Sequence, residues 1–254
     1  MGSLAGVEVI MPPRSDPHDF APTPKQVEAM RSADLLVVNG EGFEAGLVDA
    51  IDAAEADGAT VVRATDAVEL RPLAHGAGKD PHVFTSPANM VVIAQAIADR
   101  LAKVLPAVET PAYRAQVDAY VGQLRSLDAD VEEVLRVVPQ ERRVLVTNHD
   151  VFGYFADRYD FEILGAVVPS GSTLAEPSSK DLRELADLVA RAGVPAIFAD
   201  TSSPRRLADA LAGEGADVRV VELFSESLGE PGSGGDTYLD LMRTDAERIA
   251  AALR

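Results

Sequence analysis

The chain has 254 residues, 47% hydrophobic and 25% charged, enough to bury one large core or two smaller ones. Its net charge of −18, from 41 acidic and 23 basic residues, argues against DNA, RNA or an anionic membrane surface as a partner. With no cysteine, disulfides, thiolate metal sites, iron–sulfur clusters and cysteine catalysis are excluded. A cationic ligand is easier to accommodate, although the same charge also serves solubility alone. No apolar run approaches the roughly 18–20 residues of a membrane-spanning helix.

In chain order, MGSLAGVEVIMPP lacks the basic start and apolar stretch of a signal peptide. Residues 7–11, VEVIM, read as a strand ended by Pro12 and Pro13, so the chain is expected to begin inside structure, with a leader or earlier segment missing. TPKQVEAMRSAD (23–34) predicts a helix capped by Thr23 with Pro24 in its first turn. DLLVVNG (34–40) predicts a buried strand, 43–58 an amphipathic helix stopped by Gly58, and 59–65 a further strand. Residues 69–87 form a Gly- and Pro-rich loop, and 88–105 return to helical spacing. Residues 111–138 predict an unbroken helix about 40 Å long at 1.5 Å per residue, a strut and not a crossover within one small sheet. The rhythm then restarts, with strands at 142–148, 161–167, 196–200 and 217–223. Helices are expected at 150–159, 178–193, 204–215 and 237–253, and a flexible loop at 225–236. Alternation of this kind predicts an α/β fold with parallel sheets. Its parts are a first lobe (1–110), a linker helix (111–138) and a second lobe (139–254).

The chain has four histidines. Two of them sit in the same tripeptide, Asp-Pro-His, at 16–18 and 80–82, where proline restricts the preceding aspartate. His18 follows the first predicted strand, His82 precedes a helix, and His149 directly follows strand 142–148. Ligands gather at the carboxyl ends of strands in open α/β sheets, and three converging imidazoles would make a Zn²⁺ site. Each histidine alone also reads as an exposed or capping loop residue. Asp236, closing GSGGD, is either a fourth oxygen donor or only a helix cap. Asp16, Asp19 and Asp150 could hold imidazole tautomers or be surface charges. His75 reads as a surface residue or a weak accessory contact. LLVVNGEGFEAG imitates a dinucleotide fingerprint, but Glu41 and Glu44 carry the wrong charge for a pyrophosphate, and the segment reads as a turn. GSGGD lacks the Lys-Ser/Thr of a phosphate loop.

Five segments carry a resemblance: MPPRSDPHDFAPTP (11–24), ADLLVVNGEGFE (33–44), DPHVFTSPANM (80–90), VLVTNHDVFGYFADRY (144–159) and GGDTYLDLMRTD (234–245). Together they resemble the ZnuA/TroA-like proteins, the solute-binding components of zinc and manganese ABC importers. The resemblance implies two α/β lobes joined by a rigid helix, with a metal between them. It implies metal ligands at His18, His82, His149 and Asp236, with Zn²⁺ as cargo and Mn²⁺ as the alternative. The implied partner is an ABC transporter membrane permease, the implied location extracytoplasmic, and the implied state a monomer. Four protein ligands leave no open position for water, so the expected protein is not an enzyme. Ligating imidazoles must be neutral, so affinity is expected to fall below about pH 6.5. The sequence starts at the segment matching VEVIM, without the signal peptide or lipobox and first βα unit that the family pattern places before it. The expectation is either a trimmed or mis-assigned start or a first lobe short of that unit. The chain also has Arg14 for the usual Gly, FTSP for Trp-Leu-Asp-Pro, and only His75 for a long His-rich loop. Two rival readings are an adhesin of the same fold and a zinc hydrolase with Glu176 or Asp236 as general base.

Overall fold

The computed structural model describes residues 5–74, 78–168, 170–174, 178–201 and 218–254. His75, Glu176 and the expected helix 204–215 lie outside the described residues. Among those residues the first lobe contains α1 (Pro24–Ser32), β1 (Leu35–Val38), α2 (Val48–Ala56), β2 (Thr60–Arg63) and α3 (Pro87–Val104). Thr23 caps α1 through a reciprocal box with Gln26, and Pro24 sits where no N–H is needed. β1 and β2 pair in parallel, Leu35 opposite Thr60 and Val38 opposite Arg63.

The strand expected at 7–11 does not form. Its β-branched residues suit a sheet, but a strand needs a neighbour's backbone groups. The carbonyl of Ile10 is instead taken by Gln26 Nε2 at 2.6 Å, and Val7 and Val9 stand 70% and 74% exposed.

α4 (Pro111–Leu135) is 25 residues long, about 37 Å by its rise, and ends three residues before the predicted Val138. Thr110 caps it by accepting the N–H of Tyr113 at 3.1 Å. Its buried face runs Tyr113, Val121, Leu124, Leu127, Val131, Leu135, mostly at spacings of three and four. Tyr113 packs with Ala98, Leu101 and Ala102 of α3. Leu127, Val131 and Leu135 belong to the largest core, in the second lobe. One helix therefore contributes to the cores around both sheets.

The second lobe contains β3 (Val144–His149), α5 (Gly153–Tyr159), β4 (Glu162–Val168), α6 (Ser179–Ala192), β5 (Ala196–Asp200), β6 (Arg219–Leu223) and α7 (Tyr238–Leu253). Its strands run in the order β4-β3-β5-β6, all parallel. β5 shows why this sheet reads as a continuous apolar run. Ala196 and Phe198 enter the core that α4, α5 and α7 cover, while Ile197 and Ala199 face Leu185 and Val189 of α6. The structure is thus α/β with parallel sheets, as expected, and β3 and β6 point their carboxyl ends toward the same region as the two Asp-Pro-His turns. Among the described residues no helix is long and apolar enough to cross a membrane.

Candidate metal centre

The two Asp-Pro-His tripeptides fold alike. Asp16 Oδ1 accepts the N–H of His18 at 3.0 Å, and Asp80 Oδ1 accepts the N–H of His82 at 3.0 Å. Each is an Asx turn with proline fixing the middle φ, so each imidazole leaves a stiff loop. The second turn is also held from the side: Asn39 Nδ2 donates to the carbonyl of Pro81 at 2.8 Å. Asn39 opens the NGEGFE segment, whose Gly40, Glu41 and Gly42 all have positive φ. That segment is therefore a tight turn, and it places Phe43 edge-on to His18 and His82, with ring centroids 5.1 and 5.7 Å away. His149 is the last residue of β3, with its carbonyl bonded by Thr147 Oγ1 at 2.8 Å.

These three histidines meet. His18 Nε2 and His149 Nε2 each lie 2.9 Å from Glu226 Oε1, and His82 Nε2 lies 3.2 Å from the same oxygen. All four side chains are at most 1% exposed. The rings stand steeply to one another with centroids 5.4–5.9 Å apart, so nitrogens and not ring faces meet at the centre. Among the described residues this is the group whose ligand atoms, all within 4.8 Å of one another, could hold a metal ion.

Burial alone would raise the Glu226 carboxyl. The histidines, His149 foremost, override it and hold the group well below the usual carboxylate range. Burial alone would lower the His82 imidazole, but Asp80 and Glu226 outweigh it and raise it. Asp80 Oδ1 lies 2.8 Å from His82 Nδ1. A proton held there leaves the Nε2 lone pair facing the centre, the tautomer that a metal needs. Glu226 Oε2 and His82 Nε2 are buried without a hydrogen-bond partner. Unpaired lone pairs in a dry site are costly, and a divalent cation is the group that would satisfy them.

Asp236 is not in this group, and the expectation for it is corrected by Glu226. Asp236 is exposed and precedes Thr237, which is itself the cap of α7. Glu226 stands three residues past β6, on a segment fixed by two buried carboxylates. Asp245 Oδ1 accepts the N–H of Phe224 at 3.0 Å, and Asp200 Oδ2 accepts that of Ser225 at 3.0 Å. Beyond it, the expected flexible loop is pinned. Gly229 N–H bonds Gly235 O at 2.8 Å, and Thr244 Oγ1 donates to Gly234 O at 2.6 Å. These bonds turn the chain back toward the surface before Asp236. The signal for Glu226 was its place at a strand's carboxyl end, the rule that selects His149.

A family model described as zinc-uptake complex component A, periplasmic (ZnuA), matches residues 1–252. The zinc-binding protein TroA of Treponema pallidum (strain Nichols) is 35% identical over 250 residues, 96% of this chain and 80% of that protein. The manganese-binding lipoprotein MntA of Bacillus subtilis (strain 168) is 28% identical over 261 residues, 100% of this chain and 84% of that protein. The solved structure of the periplasmic zinc-binding protein TroA from Treponema pallidum superposes with a TM-score of 0.86 at 34% identity, covering 96% of this chain and 89% of that one.

Proposed function

The chain belongs to the ZnuA family of periplasmic zinc-uptake components, and from that premise we propose that it binds a divalent cation outside the cytoplasm and delivers it to the membrane permease of an ABC importer. The observation that carries this reading is the convergence of three imidazole Nε2 atoms on one carboxylate oxygen, each within 2.9–3.2 Å of it. A Zn²⁺ ion, bonding nitrogen at about 2.0–2.1 Å, would stand between those nitrogens with Glu226 as the fourth donor. His18 and His82 come from the first lobe, His149 and Glu226 from the second, so the cation would bridge the lobes. Three nitrogens and one oxygen favour zinc over manganese, which prefers a larger share of oxygen. Four protein donors without an open position suit holding and release over hydrolysis.

The test is zinc titration of the chelator-stripped protein in competition with manganese. Zinc is expected to bind one ion per chain and to resist an equal concentration of manganese. Glu226→Ala should weaken zinc beyond the roughly 10–100-fold that outer partners are worth, as should His149→Ala, while Asp236→Ala should leave it unchanged. Zinc binding that survives Glu226→Ala and is lost in Asp236→Ala would overturn the assignment.

A further inference from the structure

We propose that Asp16 and Asp80 are positioning residues that couple contact between the lobes to retention of the cation. The proposal rests on the metal-capture reading above. In each Asp-Pro-His turn one carboxylate oxygen sets the histidine, and the other faces the second lobe.

At the first turn, Asp16 Oδ1 holds His18 N–H while Asp16 Oδ2 accepts from Thr173 Oγ1 at 2.7 Å. Thr173 lies beyond β4, in the second lobe. Two residues before Asp16, the N–H of Arg14 bonds the carbonyl of Leu228, again across the lobes, at 3.1 Å. At the second turn, Asp80 Oδ1 holds both the N–H and Nδ1 of His82. Asp80 Oδ2 lies 3.3 Å from Arg71 Nη1, and Arg71 Nε lies 2.8 Å from Asp157 of α5. Tyr154, also of α5, donates to the carbonyl of Asp80 at 2.8 Å and accepts the N–H of Arg71 at 3.2 Å.

Magnitudes rank these links. Asp157 is 61% exposed, so its pair with Arg71 is a surface ion pair of small worth. The Tyr154 link is buried: its ring packs with Ala64, Val83 and Ile93 in a first-lobe core. Gly153 gives an independent sign of close fit. A Cβ at this position would overlap Arg71 Nη1 and Asp80 Oδ2, so α5 opens on the one residue that lets the first-lobe ion pair lie against its backbone. When the lobes part, Asp16 loses Thr173, one of its two anchors, and Asp80 loses the bond to its carbonyl from Tyr154 and the backing of Gly153 while keeping Arg71. Both turns are then less firmly held, and the orientation of His18 and His82 loosens together. Separation of the lobes and loosening of the cation become one event.

The test uses full-length Thr173→Val and Tyr154→Phe, neither of which alters a proposed ligand. Zinc release is followed by transfer to a chromophoric chelator, beside the core variant Leu127→Ala as a control for lost stability. Each cross-lobe variant is expected to release zinc about tenfold faster, the low end of what outer partners contribute. Their effects should multiply in the double variant, because they act on different turns. In Tyr154→Phe the nitrogen-15 NMR signature of a proton on His82 Nδ1 should weaken, a change that general loosening does not produce. Release at the wild-type rate in both variants overturns the proposal, and so does equal acceleration by Leu127→Ala. Failure of the wild type to bind zinc at all would instead overturn the metal-capture reading.

Discussion

Asp200 and Asp245 act on Glu226 from one and two residues away, by holding the backbone N–H groups of Ser225 and Phe224. Asp245 is almost wholly buried, and burial is the main reason its carboxyl is pushed up to about 7. The Phe224 N–H and Arg248 pull it down, and Asp200 adds to the rise. In the unfolded chain an aspartate titrates near 3.9. The folded protein therefore binds the extra proton between about pH 4 and 7, and stability falls as pH rises through that window. Above the folded value the whole contribution is gone, on the order of 4 kcal/mol. Asp245→Asn keeps an oxygen for Phe224 and removes the titration. Melting curves from pH 4 to 8 should show the wild type losing stability relative to the variant, and parallel curves would contradict this. The three histidines of the centre were legible because His18 and His82 share one Asp-Pro-His pattern and His149 closes β3. Glu226 was not, because GSGGD offered a more conspicuous carboxylate. Nothing local in Phe224-Ser225-Glu226 announces that Asp200 and Asp245, distant in sequence, lock it inward.

Helix boundaries were the most legible elements, because their determinants are local. Thr23 caps as expected, Thr110 and Ser178 cap their helices through side-chain oxygens in the same way, and Gly193 ends α6 at a φ of 64°. The segment at 7–11 misled because β-propensity describes fit to a neighbour and cannot supply one. α4 separates the two kinds of contribution. Thr110→Ala removes one cap bond at an end and should cost about 1 kcal/mol. Leu127 is wholly buried in the second-lobe core, and Leu127→Ala should cost about 2–5 kcal/mol. Urea titrations should show both midpoints lowered, the second far more, at unchanged slope. Equal shifts would mean that α4 is held by its ends and not by its face. Gly46 tests the first lobe in the same way. A Cβ there would overlap the carbonyl of Phe20, two residues past His18. Gly46→Ala should therefore weaken zinc binding without touching a ligand, a change that titration calorimetry would register.

The whole molecule is held together by contacts that bypass the four converging side chains. Tyr238 OH donates to the carbonyl of Phe84 at 2.8 Å, joining α7 to the loop before α3. Thr173 with Asp16, Arg14 with Leu228 and Tyr154 with Asp80 do the same on other sides. α4 enters the packing of both lobes. Because one helix is shared, unfolding either lobe strips apolar cover from the other, and the chain should melt in one cooperative transition. Zinc at a hundredfold excess over its dissociation constant adds about 2.7 kcal/mol. For a chain of this size that corresponds to roughly 5–10 °C of melting temperature. A hinge opening wide enough to resemble a clamp would have to break these cross-lobe bonds and bend α4, and binding one cation gives no separate return for that. Between its zinc-free and zinc-loaded resting forms the protein should therefore shift its lobes by small amounts about contacts that mostly persist, the cross-lobe bonds parting only transiently as the cation leaves. Small-angle scattering with and without zinc should give radii of gyration within about 1 Å of each other, unlike proteins whose domains rearrange by more than about 2 Å on binding. A clearly larger contraction on adding zinc would place the closing motion in the whole molecule, and would mean that the cross-lobe bonds form only after the cation has entered.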